Sequence, residues 1–163
     1  MARKSKEFSK LLNQKHHDDL QQKGLETLSN RADNDIDIRV HAEGELKMSE
    51  VIEEFMAPYL KQSESPEDQK SMIGMGIIAW NLALLPAKKR RKERNIILNA
   101  LCDNQKGVLS DADIAEFRAD MVHLIESLIE RKLSLFKNIE RRIVDFEMQD
   151  SRGNVHLSVM STI

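Results

Sequence analysis

One stretch of sequence decides the fold, and it lies between two prolines: SPEDQKSMIGMGIIAWNLALLP, residues 65–86. Ser65 is suited to cap a helix and Pro66 to occupy its first position, and two acidic residues follow in the first turn. The apolar side chains of residues 72–85 would point in nearly every direction around the helix axis. A helix that is apolar on all sides is normally buried, so the stretch predicts a buried central helix over about 66–85.

Three further segments have the apolar spacing of amphipathic helices, and we expect them to surround or flank the central helix. The first begins near Ser49 and is expected to kink or end around Ala57, because Pro58 has no backbone N–H. The second covers 87–101 and the third about 110–137. The predicted architecture is a compact bundle of about four helices around the buried central helix.

The periodicity changes near the carboxyl end of the chain. Polar and apolar residues alternate over 144–149 and again over 155–160, with turn-forming residue types between them. This pattern predicts a C-terminal β-hairpin over about 142–162. A similar alternation over 35–41 predicts a short strand, which is a candidate third strand for the same sheet. The expected fold class is therefore α+β and mainly helical.

Length and composition fit a protein of ordinary size. The chain has 163 residues, and six glycines and three prolines are too few for an all-β protein with many turns. Its 25 basic and 27 acidic residues give a net charge of −2, which excludes a uniformly basic nucleic-acid coat. We expect residues 1–45 to form a polar N-terminal arm, partly helical or mobile. Residues 46–163 are expected to form a single helical domain with the hairpin.

The predicted location is the cytoplasm. Cys102 is the single cysteine, so no internal disulfide is available, and the amino-terminal residues lack the apolar run of a signal peptide. The longest apolar stretch, residues 72–85, has 14 residues. A membrane-spanning helix needs about 20, so we expect no membrane contact.

No arrangement of residues predicts catalysis or metal binding. The HHDD run at 16–19 places four ligand types side by side, and adjacent residues point in different directions around a helix. Asp120 and His123 share the polar side of their helix, which we expect to face solvent. We therefore expect no cofactor and no metal, and we favour a protein that is not an enzyme. A site assembled from Asp120, His123 and distant residues is the less favoured alternative.

A basic run at 88–94 is the segment that most suggests a ligand. Six positive charges and the one negative charge of Glu93 give a local charge of +5. The basic residues are Lys88, Lys89, Arg90, Arg91, Lys92 and Arg94. Phosphates are natural counterions for such a run. The simpler alternative is a solvated helix start, paired internally with acidic residues such as Glu50, Glu53, Glu54, Asp111 or Asp113.

Two binding hypotheses follow from these observations. The first is a non-catalytic protein-interaction or structural module, whose partner is another protein or a second copy of the chain. Its candidate docking residues are Phe8, Leu11 and Leu12, which share one face of a thinly apolar segment. The second, which the sequence favours less, is an accessory protein that binds nucleic acid or another polyanion through the basic run.

Overall fold

The computed structural model describes residues 44–151 and 154–162, together with helical residues at 19, 22–24, 26–28 and 30–31. The predicted fold class is confirmed within these residues: the fold is α+β and mainly helical, with an antiparallel hairpin at the carboxyl end. The helices are α1 (Met48–Leu60), α2 (Pro66–Ala83), α3 (Ala87–Asp103) and α4 (Asp111–Leu135), and the strands are β1 (Ile143–Ser151) and β2 (Asn154–Ser161).

The chain forms two compact units. The terminal unit consists of residues 1–53 and 143–163, and the helical unit consists of residues 54–142. The predicted strand at 35–41 lies outside the described residues, as do the docking candidates Phe8, Leu11 and Leu12. The predicted domain boundary at residue 45 stays a prediction. No helix in the part of the chain that the structure describes is long and apolar enough to cross a membrane.

Helix α2 begins as its sequence predicts. The Ser65 hydroxyl accepts the Asp68 backbone N–H at 3.1 Å, and Pro66 occupies the first helical position. The helix ends at Ala83, two residues before the predicted end. None of residues 72–85 is exposed, which agrees with the prediction of a buried helix. Helix α2 packs against α3 and α4, and α3 also packs against α4.

Three aromatic rings form the centre of the helical unit. The ring centroids of Phe55 and Trp80 are 5.3 Å apart, those of Phe55 and Phe136 are 5.7 Å apart, and those of Trp80 and Phe136 are 5.9 Å apart. The indole N–H of Trp80 donates to the Arg141 carbonyl at 2.9 Å, so the polar atom of this buried ring is satisfied. The two contacts that include Phe55 are edge-on, and such contacts add to the stability that burial alone provides.

Helix α1 does not end where the sequence predicts. It continues through Pro58 to Leu60, so the expected end near Ala57 is wrong, and the alternative of a kink there stays a prediction. Because Pro58 has no N–H, it cannot donate to the carbonyl of Glu54. The Arg131 side chain supplies a donor instead: its Nη2 donates to the Glu54 carbonyl at 3.2 Å and its Nε to the Phe55 carbonyl at 2.9 Å. A side chain from α4 therefore satisfies the carbonyl that the proline leaves without its helical donor.

The hairpin has the alternation that the sequence predicts. Phe146 lies opposite Val159 and Met148 opposite Leu157, so the apolar side chains share one face. A register shift between Ile143 and Asp145 introduces a bulge at the start of β1. The hairpin and the N-terminal helical residues belong to the same unit. Among those helical residues, Gly24 lies close to the hairpin. A methyl group at Gly24 would overlap the Ser158 side chain.

Candidate anion-binding surface

The basic run lies on the first two turns of α3. This helix begins at Ala87 after Pro86, which makes no side-chain capping hydrogen bond, and its first turn has no acidic residue. The first backbone N–H groups of a helix lack partners within the helix, and the helix dipole makes this end positive. The basic run therefore lies at the helix end that the dipole already makes positive.

Arg90 is directed toward the end of α2 rather than into solvent. Its Nε donates to the Leu82 carbonyl at 3.2 Å, and its Nη2 donates to the carbonyls of Ala83 at 3.2 Å and Leu85 at 2.9 Å. The last carbonyls of a helix have no helical donor, so Arg90 caps the carboxyl end of α2. The sequence offered one signal for this role: α2 has no basic residue in its last turn.

Arg94 is also engaged within the helical unit. It forms an ion pair with Glu126 on α4, and its Nη2 lies 3.2 Å from the amide oxygen of Asn95. Internal pairing was the alternative predicted from the sequence, but Glu126 was not among the predicted partners. The pair depends on the antiparallel approach of α3 and α4, which brings residues 32 positions apart together.

The other four cations are exposed and form what we call the basic surface: Lys88, Lys89, Arg91 and Lys92. None of them makes an ion pair with another residue of the described part of the chain. Lys88, Arg91 and Lys92 are three and four residues apart, so they share one helix face. With Pro86, Glu93 and Asn95, the four residues line a shallow depression. The four positive charges and the one negative charge of Glu93 give this surface a local charge of +3.

A buried lysine that the sequence did not predict lies elsewhere in the helical unit. Lys132 is only 2% exposed, and its Nζ donates to the carbonyls of Phe136 at 2.9 Å and Ile139 at 2.8 Å. The ammonium lies 4.6 Å from the centroid of the Trp80 ring. Burial lowers the pKa of Lys132, and the charge of Glu140 partly opposes that shift. Lys132 satisfies carbonyls beyond the end of α4 and has a structural role.

The remaining candidates for chemistry do not come together. Asp120 and His123 are both exposed on α4. Among the described residues, no group of three or more His, Cys, Asp or Glu side chains is placed to hold a metal ion. Cys102 is buried, and its sulfur lies 3.9 Å from Nη1 of Arg118. Nearly all of the HHDD run at 16–19 lies outside the described residues.

Comparisons with protein-family models, with curated proteins and with solved structures find no match to this chain. The basic surface is the feature of the described residues that most clearly indicates a function. It combines exposed charge of one sign, a shared helix face and a positive helix end. Anionic groups are the ligands that such a combination attracts.

Proposed function

We propose that the protein is a non-catalytic binding module of the cytoplasm that holds a polyanion, such as nucleic acid, on the basic surface. The observation that carries this proposal is the set of four exposed cations on the first turns of α3, none of which forms an ion pair with an acid of the described residues. This proposal takes up the second hypothesis from the sequence. A protein partner at Phe8, Leu11 and Leu12 stays a prediction, because those residues lie outside the described residues.

The geometry favours contacts to phosphates rather than to bases. Cations crowded at a helix amino terminus oppose the helix dipole, and a bound anion would relieve that repulsion. Residues 86–95 contain no aromatic side chain on which an unpaired base could stack. Phosphate contacts position a ligand without reading its sequence. We therefore expect binding that depends on salt and is indifferent to base sequence.

The fold keeps the surface in place. Arg90 holds the start of α3 against the end of α2, and the Arg94 pair with Glu126 holds it against α4. The exposed cations are thus mounted on a helix whose position two internal arginines fix. A rigid array of this kind loses less conformational entropy on binding than the same lysines would in a loop.

The experiment compares two double charge reversals with the same change in net charge. Lys88→Glu with Lys92→Glu alters the basic surface, and Lys61→Glu with Lys70→Glu alters two exposed lysines elsewhere in the helical unit. Fluorescence anisotropy with a labelled duplex measures Kd across a salt series. We expect the first pair to raise Kd about tenfold or more and to reduce the salt slope by about 2, since each phosphate contact contributes about 1.

The control pair should change Kd by less than about twofold, because charges at a distance are screened. Circular dichroism confirms that both variants remain folded. Equal weakening by the two pairs would show that only the net charge matters, and it would refute the basic surface as the site. Failure of the wild-type protein to bind at about 50 mM salt, where phosphate contacts are strong, would refute polyanion binding itself.

A further inference from the structure

The two strands of the hairpin differ in what occupies their outer edges. On β1, the Phe146 N–H donates to Oδ1 of Asp145 at 2.8 Å, and the Phe146 carbonyl accepts from Nη2 of Arg31 at 3.3 Å. Arg31 also forms ion pairs with Asp145 and Glu147. Charged side chains that occupy the backbone groups of an edge strand prevent it from pairing with another chain. The outer edge of β1 is therefore blocked at Phe146.

The direction of the β2 backbone groups follows from those of β1. Phe146 lies opposite Val159, and because Phe146 directs its N–H and carbonyl away from β2, Val159 directs its own groups away from β1. The alternation along an antiparallel strand then places the N–H and carbonyl groups of Leu157 and Val155 outward as well. No other described residue has a backbone hydrogen bond to these outward groups.

The composition of β2 leaves this edge without the usual protection. From Asn154 to Ser161 the strand has no Asp, Glu, Lys, Arg or Pro, which are the residues that natural edge strands use to prevent pairing. Its apolar residues Val155, Leu157 and Val159 lie on one face, and Val155 is 43% exposed. An uncharged strand of eight residues with outward backbone groups is a template for another strand.

We propose that the outer edge of β2 pairs with the same strand of a second copy of this chain, antiparallel about a two-fold axis, to form a four-stranded sheet. In a two-fold interface each residue meets the same strand of the partner, so a charged strand would meet its own charge. A strand without charge avoids that repulsion. A register centred on Leu157 places Val155 of one copy opposite Val159 of the other and extends the apolar face across the axis.

The experiment measures the oligomeric state with a matched pair of lysine variants. Val155→Lys puts a charge on β2, and Val144→Lys makes the same change on β1, where the valine is 50% exposed. Sedimentation velocity over a concentration series gives the dissociation constant of the dimer. We expect the wild-type protein and Val144→Lys to dimerise alike, and Val155→Lys to raise the dissociation constant at least about tenfold. Val155→Pro, which removes one outward N–H and no bond to β1, should act in the same direction.

Hydrogen exchange at the outward amides gives a second measurement that does not depend on a variant. The amides of Val155, Leu157 and Val159 should exchange more slowly as protein concentration rises. A wild-type protein that stays monomeric at about 100 µM would overturn the proposal. So would equal weakening by the two lysine variants. Slow exchange in a monomer would also overturn it, and would show that the chain covers its own edge, for which residues 35–41 are the candidate segment.

Discussion

Replacing Lys132 with methionine tests whether a buried cation stabilises the helical unit. Methionine keeps most of the side-chain volume and removes the ammonium, which is only 2% exposed and donates to two backbone carbonyls. Replacement of a buried ion pair by apolar residues is often neutral, because it also removes the cost of burying charge. The case of Lys132 differs, because the partners of its ammonium are backbone carbonyls that no substitution removes.

The magnitude follows from what each carbonyl retains. Phe136 O also accepts the Ile139 N–H at 3.1 Å, so it remains satisfied, whereas Ile139 O loses its donor in Lys132. A buried carbonyl left without a donor costs about 1–3 kcal/mol, and loss of the contact with the Trp80 ring costs about 0.5–2 kcal/mol. Relief of the ammonium's burial offsets part of this loss. We expect a net loss of about 2 kcal/mol, or about 4–8 °C in Tm for a chain of this size.

The pH dependence of stability tests whether the ammonium of Lys132 is buried. Burial lowers the pKa of Lys132 below the value of 10.5 that it has in the unfolded chain. Between the folded-state pKa and 10.5, the unfolded chain holds the extra proton, so the free energy of unfolding rises with pH in that interval. The Lys132→Met variant lacks this contribution. The stability gap between wild type and variant should therefore widen as pH rises toward 10.5.

Urea denaturation at several pH values measures both the gap and its pH dependence. Lys137→Met is the control, because Lys137 is exposed and the substitution should change stability by less than about 0.5 kcal/mol. A Lys132→Met variant as stable as the wild type at neutral pH would refute the account of the two carbonyls. A gap that narrows with rising pH would refute the lowered pKa.

Three further substitutions test other contacts of the helical unit. Arg90→Met should lower the free energy of unfolding by about 2 kcal/mol, because three carbonyls lose a charged donor, and should change Kd for a duplex less than Arg91→Met does. Gly76→Ala gains about 1 kcal/mol of helix propensity but loses about 1–3 kcal/mol to overlap with the buried Met56 side chain, so urea denaturation should show a net loss. Arg131→Lys cannot reach both carbonyls of α1 in a fixed fork and should lower Tm by about 2–4 °C.

The parts of the fold that depend on local chemistry could be predicted from the sequence. Ser65 and Pro66 start α2 because a hydroxyl and a missing N–H act within one helical turn. The hairpin was predictable for a similar reason, since its alternation and its turn residues are adjacent in the chain. The end of α1 was not predictable, because the donor that compensates for Pro58 is Arg131, 77 residues from the Glu54 carbonyl that it satisfies.

The candidate site was predicted only in part, because two charged side chains bind backbone carbonyls inside the fold instead of facing solvent. Lysine and arginine side chains are usually exposed, so Arg90 was predicted as part of the polyanion-binding run and Lys132 was not assigned to the core. Both side chains donate to carbonyls near helix ends, and which carbonyls are within reach depends on how helices pack. Lys132 did leave a signal: it continues the spacing of Ile125, Leu128 and Ile129, which are all buried.

The division of the chain into two units has a consequence for its synthesis on the ribosome. The terminal unit is discontinuous: its first segment ends at residue 53 and its second begins at 143, after the whole helical unit has been made. At about 5–20 residues per second, translation of the 89 residues from 54 to 142 takes about 4–18 s. The helical unit can therefore begin to fold first. Arg31 cannot form its ion pairs until Asp145 and Glu147 have been synthesised. The terminal unit can close only after residues 143–163 have been synthesised.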